Sequence, residues 1–178
     1  GAGPLLGMGP YYVTALISLL GPVAEVQASA KASFPERIIR SLPKYGQKIQ
    51  VEVPTHVAGI LQFVNGATAT LITSYEVWGS EVPKIEIYGS DGTLSVPDPN
   101  GFGGPVKLYR PEFAAWAEIP KPFRYVDFIR GLGVAEMACA LLRNRQHRAN
   151  GELAYHALDV MQSLYDAAES KTVHKVET

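Results

Sequence analysis

The sequence predicts an α+β fold, in which an open and mainly antiparallel β-sheet carries helices packed on one face. Apolar residues recur with helical spacing at the start of the chain, then alternate with polar residues, then return to helical spacing in the last third. That order of helix, strands and helices is typical of α+β proteins. The chain has 178 residues, which is an ordinary length for one domain, so 1–178 is predicted to be a single domain.

The first predicted element is a helix that ends near Leu20. Its apolar stripe consists of Val13, Leu16, Ile17 and Leu20. Gly21 and Pro22 form a stop signal, because glycine accepts a left-handed cap and proline cannot continue a helix. Pro10 interrupts the pattern, so a turn before it is the alternative to a continuous helix.

The central region is predicted to form antiparallel strands joined as hairpins. Asn65-Gly66 separates two alternating segments and favours a type I′ turn, in which both central residues have positive φ. A loop is expected over 34–48. The predicted strands are 23–29, 49–53, 56–64, 67–78, 85–88, 93–96, 106–109 and 114–119.

Two helices are predicted in the last third, over 132–142 and 152–170. The first contains Cys139 among alanines and leucines, so we expect a small buried thiol rather than a nucleophile. A single cysteine excludes an internal disulfide and a zinc site built from cysteines.

The strand over 67–78 has two chemically distinct faces. Alternation places Thr68, Thr70, Ile72, Ser74 and Glu76 on one face, and Ala67, Ala69, Leu71, Thr73, Tyr75 and Val77 on the other. A flat face rich in threonine and poor in charge is either ordinary solvent surface or a contact between sheets. We therefore expect self-association through one face of the sheet.

Charge and hydropathy exclude some classes of function. The net charge is −1 and the isoelectric point is about 6.5, so no overall field attracts nucleic acid or an anionic membrane. The longest apolar run, 11–20, is about half of a membrane span. Residues 1–8 lack the basic start of a secretory signal, so a cytoplasmic location is expected.

Few residues indicate chemistry by their pattern alone. No glycine-rich segment lies between a strand and a helix, as a nucleotide-binding turn requires. His156 lies beside the apolar stripe of the last helix, where a hydrogen-bonded structural histidine is the ordinary interpretation. Arg143, Arg145, His147 and Arg148 form a cluster that either is solvated or contacts an anionic ligand. No metal site is predicted.

Several short motifs, in order along nearly the whole chain, resemble the C-terminal domain of the Gfo/Idh/MocA oxidoreductases. They are Gly3-Pro-Leu-Leu-Gly-Met-Gly-Pro-Tyr-Tyr12, Gly21-Pro-Val23, Val53-Pro-Thr-His56, Phe63-Val-Asn-Gly66, Ile87-Tyr-Gly-Ser-Asp-Gly-Thr-Leu94, Asn144-Arg-Gln-His-Arg148 and Gly151-Glu-Leu-Ala-Tyr-His156. The resemblance implies a substrate and oligomerisation domain over 1–178, without the family's N-terminal Rossmann domain. NAD or NADP would bind to that other domain, and this chain alone is expected to hold no cofactor.

The resemblance also implies hydride transfer to or from a sugar or polyol, with a histidine base in an Asp-x-x-x-His motif. Here Gly7 stands at the Asp position and Tyr11 at the His position. Tyr11 is therefore the candidate catalytic residue, although a phenol is a poor base at neutral pH unless a cation stabilises its anion. Tyr12 and His156 are candidate substrate-binding residues, and packing at a domain interface is the alternative role for Tyr11 and Tyr12. The alternative is a non-catalytic sugar-binding or assembly domain that has lost the Asp/His pair.

Overall fold

The computed structural model describes residues 2–120 and 130–178, and it divides into two compact units. Unit 1 consists of Gly1–Trp78 and Asn150–Thr178, and unit 2 consists of Gly79–Ala149. In chain order the elements are α1 (Gly3–Leu20), β1 (Val23–Lys31), β2 (Glu36–Ile38), β3 (Lys48–Gln50), β4 (His56–Phe63), β5 (Thr68–Ser74), β6 (Ile85–Gly89), β7 (Gly92–Val96), β8 (Lys107–Arg110), β9 (Ala115–Glu118), α2 (Leu132–Leu142), α3 (Gly151–Ser170) and β10 (His174–Lys175).

Unit 1 is built on a four-stranded antiparallel sheet in the order β10-β1-β4-β5. The helices α1 and α3 pack against this sheet and against each other. Leu61 on β4 and Leu164 on α3 are fully buried. Gly59 lies between them, and a Cβ added there would stand 2.6 Å from a Leu164 methyl group. The helix therefore rests directly on the sheet backbone at this glycine.

The helix α1 is continuous through Pro10, so the alternative of a turn before that proline is wrong. Proline has no N–H to donate to the carbonyl of Leu6, but packing of the apolar face compensates for this loss. Leu5, Val13 and Leu16 are buried. By length and composition α1 is apolar enough to cross a membrane, with a mean hydropathy of 1.3, and a packed core helix meets the same criterion.

The hairpin between β4 and β5 forms as predicted, but its turn is not type I′. Gly66 has a φ of +90°, whereas Asn65 is not among the residues with positive φ. The Gly66 N–H donates to the Phe63 carbonyl at 2.9 Å, which closes a three-residue loop with glycine in the left-handed position. The Asn65 side chain donates to the Leu20 carbonyl at 2.8 Å, so it also caps the end of α1.

The two predicted faces of β5 are confirmed. Leu71 and Thr73 are buried toward the helices, while Thr68, Thr70 and Ile72 are exposed on the opposite face. The register places Ile60 of β4 opposite Thr70. The exposed face of the sheet therefore presents isoleucines among small polar side chains.

Unit 2 contains a second antiparallel sheet, β6-β7-β8-β9, and the helix α2. The helix has the bounds predicted from the sequence. Cys139 is exposed, however, so the prediction of a buried thiol is wrong. Ala140 is the residue of α2 that the described structure buries. Most of the other side chains of this apolar helix are exposed there.

The fold class is confirmed as α+β, with open antiparallel sheets and helices packed against a sheet. The strands divide between two four-stranded sheets and the hairpin β2-β3. The strand β2 lies inside the predicted loop over 34–48, and the short β10 was not predicted. Neither strand exceeds three residues, which is too short for an alternating pattern to appear.

Candidate functional site

One side of the N-terminal half of α1 lacks side chains at two positions. Gly3, Gly7 and Tyr11 are spaced four residues apart, so they lie on the same side of the helix. A Cβ added at Gly7 would stand 2.9 Å from the Tyr75 hydroxyl oxygen. The Tyr75 hydroxyl also donates to the Gly3 carbonyl over a long distance of 3.4 Å. The space beside Gly7 is therefore occupied by a hydroxyl group from another element.

The backbone around Tyr75 is held by hydrogen bonds from two directions. Tyr75 directly follows β5, and its N–H donates to the Thr55 carbonyl at 2.9 Å. The Arg37 guanidinium donates to the Tyr75 carbonyl at 2.6 Å. These bonds fix the direction in which the tyrosine ring leaves the sheet, toward α1.

The next residue, Glu76, anchors the same turn. Its carboxylate accepts hydrogen bonds from the Ser33 N–H at 2.8 Å and from the Thr55 hydroxyl. These bonds, that of Ser33 first, lower the pKa of Glu76 to about 2. The carboxylate is therefore ionised at neutral pH and ties the turn to the segments that precede β2 and β4.

A groove of about 450 Å³ opens beside the start of α1, within unit 1. Its lining includes Leu6, Val53, Pro54, Gln162, Tyr165 and Glu169. Burial raises the pKa of Tyr165, and the neighbouring Tyr75 raises it further. The Tyr165 phenol therefore stays protonated at neutral pH, as a group that can donate a hydrogen bond into the groove.

The two tyrosines predicted from the sequence lie on α1. Tyr11 is 47% exposed and follows Gly7 on the same side of the helix. Tyr12, the next residue along the helix, is half-buried. Tyr11 thus lies one helical turn after Gly7, the position beside the Tyr75 hydroxyl, while the catalytic role of Tyr11 and the substrate role of Tyr12 stay predictions.

The third predicted site residue, His156, is engaged within the fold. Its Nε2 accepts from the Val23 N–H at 3.0 Å, so Nδ1 carries the proton and donates to the Thr178 hydroxyl at 2.8 Å. That hydroxyl in turn donates to Asp159 at 2.9 Å. The side chain is buried. A substrate contact from His156 stays a prediction, and it requires that the ring release one of these two bonds.

The basic cluster of unit 2 is partly neutralised by a carboxylate. Arg145 forms an ion pair with Glu136 at 2.6 Å, and the Arg148 N–H donates to the same carboxylate at 3.1 Å. These contacts lower the pKa of Glu136. Within residues 2–120 and 130–178 no three histidine, cysteine or acidic side chains are grouped as metal ligands.

Sequence reasoning missed Tyr75 and Tyr165 as members of this region. Two signals were present in the sequence. The alternation of β5 places Tyr75 on the same face as Leu71, which is the helix side of the sheet, and Gly7 stands where the family motif has an acidic side chain. The contact between Tyr75 and Gly7 depends on the packing of α1 over the end of β5, which no local pattern encodes. Tyr165 lies on the amphipathic helix α3, where an aromatic residue is ordinarily part of the core.

Comparison with known proteins settles the family. The family model of the GFO/IDH/MocA C-terminal domain matches residues 1–95, which is more than half of the chain. The chain belongs to the Gfo/Idh/MocA family. No curated protein matches the sequence significantly.

Solved structures of oxidoreductases share the fold of this Gfo/Idh/MocA domain. Levoglucosan dehydrogenase in its apo form superposes with a TM-score of 0.78 at 15% identity, covering 99% of this chain and 51% of that one. An NAD-binding oxidoreductase from Klebsiella pneumoniae gives 0.75 at 20% identity, with 99% and 51% covered. Aldose-aldose oxidoreductase from Caulobacter crescentus, complexed with glycerol, gives 0.71 at 20% identity, with 97% and 47% covered. The chain therefore spans about half the length of the structures that it resembles.

Proposed function

We propose that this Gfo/Idh/MocA domain is the substrate-binding half of an NAD(P)-dependent oxidoreductase that acts on a hydroxyl carbon of a sugar or polyol. The observation that carries the proposal is the start of α1, where Gly7 and Tyr11 stand at the family's motif positions and Leu6 lines a groove that also contains the Tyr165 phenol and the Gln162 amide. The Tyr165 phenol, the Gln162 amide and the Glu169 carboxylate can all bind hydroxyl groups of a substrate.

Related structures support the substrate class. Levoglucosan dehydrogenase has been solved in complex with NADH and L-sorbose, and this domain matches it over 99% of the chain with a TM-score of 0.76. The aldose-aldose oxidoreductase carries glycerol. Both ligands are polyhydroxylated and uncharged, which is the substrate class proposed for this domain.

The described residues do not fit a dinucleotide. Such cofactors bind at the carboxyl ends of parallel strands, beside a glycine-rich turn that opens a helix. The strand pairs of both four-stranded sheets are antiparallel. We therefore propose that NAD or NADP is bound by residues outside this chain, and that residues 1–178 contribute contacts to the substrate.

A second candidate function is sugar binding or assembly without catalysis. Gly7 and Tyr11 favour it, because neither residue supplies the acid or the imidazole of the family motif. Under this alternative the groove would still bind a polyol, but no hydride would be transferred.

One experiment separates these candidates. The natural gene product that contains residues 1–178 is mixed with NAD⁺ or NADP⁺ and a panel including levoglucosan, L-sorbose and glycerol, and the reduced cofactor is followed by absorbance. Calorimetry measures binding of the same polyols. Turnover supports the oxidoreductase, binding without turnover supports the alternative, and the absence of both contradicts the two candidates.

We also propose that the exposed face of the sheet in unit 1 makes contacts between copies of the protein. Ile60 and Ile72 are 40% and 58% exposed on this face. Each lies in a cross-strand row with small or uncharged neighbours, Gln27 and Thr70 for Ile60 and Ala58 for Ile72. The central rows of this face can therefore bury apolar area on association, while the charged residues Glu25 and Lys31 lie in its outer rows.

The oligomer proposal is tested by light scattering after size-exclusion chromatography of the same gene product. Ile72→Asp is expected to shift the mass toward the monomer. Ile38→Asp is the matched control, because Ile38 is equally exposed at 58% but lies on the separate hairpin β2-β3. A wild-type monomer at high concentration, or an Ile72→Asp variant that remains oligomeric, contradicts the proposal.

A further inference from the structure

The hydroxyl of Tyr75 lies where a side chain at Gly7 would begin. The separation between the added Cβ and the hydroxyl oxygen is 2.9 Å, so no residue larger than glycine leaves this oxygen in place. Gly7 is also the position at which the family motif has its acidic residue. The polar atom at this place is therefore supplied across space by the end of β5 rather than by α1.

We propose that Tyr75 is a substrate-binding residue, which places a neutral hydroxyl at the position of the family's acidic side chain and acts together with Tyr11. This inference rests on the proposed function, because it assigns a specificity-determining residue of the same site. Tyr11 follows Gly7 by one helical turn, so it projects from the side of α1 on which the Tyr75 hydroxyl lies.

The hydrogen bonding of the Tyr75 hydroxyl suits exchange with a ligand. Its bond to the Gly3 carbonyl is 3.4 Å long, well beyond the 2.5–3.0 Å that is usual for an O–H donor. The side chain is 47% exposed. A ligand hydroxyl that offers a shorter bond would therefore replace a weak contact at little cost.

The backbone at Tyr75 is held by hydrogen bonds from within the protein. Thr55 and Arg37 hold its N–H and carbonyl, and Ser33 and Thr55 hold the carboxylate of Glu76. A residue fixed in this way loses little conformational freedom on binding, which favours affinity. The Tyr75 hydroxyl lies beside Gly7 and the Gly3 carbonyl, so its position depends on Gly7 remaining without a side chain.

The chemistry of the pair predicts the kind of substrate. A phenol both donates and accepts a hydrogen bond, and it carries no charge at neutral pH. A pair of phenols therefore favours neighbouring hydroxyl groups of a neutral polyol. A sugar acid would find no cation among these groups, and we expect it to bind more weakly than the corresponding polyol.

The test uses Tyr75→Phe in the natural gene product, with Tyr45→Phe as control. Tyr45 is 69% exposed and lies in the loop between β2 and β3. Binding of the best polyol of the panel is measured by calorimetry, and KM and kcat are measured where turnover occurs. Loss of one hydrogen bond to the ligand predicts about tenfold weaker binding for Tyr75→Phe and a raised KM. The control is expected to bind like the wild type.

A second variant separates a binding role from a packing role. Gly7→Ala displaces the Tyr75 hydroxyl, so it is expected to weaken polyol binding to a similar extent. In the Tyr75→Phe background the same change is expected to add little, because the displaced oxygen is already absent. Additive losses would show that the two positions act independently, and they would overturn the inference.

The outcomes distinguish the inference from the proposed function. If the wild type binds a polyol and Tyr75→Phe binds it equally well, the inference is wrong and the proposed function stands. If the wild type neither binds nor converts any polyol, the proposed function is wrong, and the inference falls with it. Weaker binding by Tyr75→Phe, an unchanged control and non-additive Gly7→Ala together support the inference.

Discussion

The two units place similar helices in very different surroundings. In unit 1, Val160 and Leu164 of α3 are completely buried between the sheet and α1. In the described part of unit 2, Val134 and Leu142 of α2 are 72% and 88% exposed. Yet α2 is the more apolar helix by composition. Apolar content therefore predicted that both helices form, but it did not predict which one is covered.

The contrast between α2 and α3 shows that amphipathic spacing is a better guide to burial than the apolar content of a helix. In α3 the apolar residues keep to one side, and that side faces the sheet. In α2 they surround the helix, so the sequence gives no direction for packing. The prediction of a buried Cys139 is wrong for this reason, because apolar neighbours in the sequence do not show which side of the helix is covered.

The largest effect that would test this comparison is a cavity in the core of unit 1. Leu164→Ala is expected to lower the free energy of unfolding by about 2–5 kcal/mol, because it removes a fully buried side chain beside Gly59. Leu141→Ala on α2, where Leu141 is 70% exposed, should cost less than about 0.5 kcal/mol. Urea unfolding of the gene product measures both, and equal losses would contradict the contrast.

Glycine substitutions are expected to have opposite signs in the two units. A Cβ at Gly59 would lie 2.8 Å from the Gln27 carbonyl oxygen, so Gly59→Ala should destabilise by about 1–3 kcal/mol. Gly133 in α2 has open space around its Cβ position, and Gly133→Ala should stabilise by up to about 1 kcal/mol. Thermal unfolding tests the pair, and a stabilised Gly59→Ala would show that the sheet and α3 are not in contact there.

Removal of the buried histidine tests whether it supports the fold. His156→Ala leaves the Val23 N–H without its acceptor, which is expected to cost about 1–3 kcal/mol. His174→Ala is the control, because His174 is half-exposed and lies at the sheet edge. A stable His156→Ala variant with weakened polyol binding would instead assign this residue to the substrate site.

The smallest expected effect is a pH dependence centred on Glu76. Its pKa in the folded protein is about 2, below its ordinary value of 4.5, so its contribution to stability is present above pH 4.5 and is lost as the pH falls toward 2. The difference in the free energy of unfolding between the wild type and Glu76→Gln should therefore shrink as the pH falls from 4.5 toward 2. A difference that stays constant from pH 6 to pH 2 would show that Ser33 and Thr55 do not hold the carboxylate.

Local patterns accounted for most of the fold and for only part of the candidate site. Alternation on β5 separated Leu71 from Ile72 correctly, because side-chain direction in a strand follows directly from sequence. The turn at Asn65 was mistaken, since the same Asn-Gly pair suits both a two-residue and a three-residue loop. Tyr75 was not recognised, because its meeting with Gly7 joins residues that are far apart in the chain.

The most direct test of polyol binding at Tyr75 is a crystal structure of the natural gene product with its cofactor and a bound polyol. We expect ligand hydroxyl oxygens within about 3.2 Å of the Tyr75 and Tyr11 hydroxyls, with the bond from Tyr75 to Gly3 exchanged for one to the ligand. A polyol bound elsewhere, with the Tyr75 hydroxyl still directed at the Gly3 carbonyl, would contradict it.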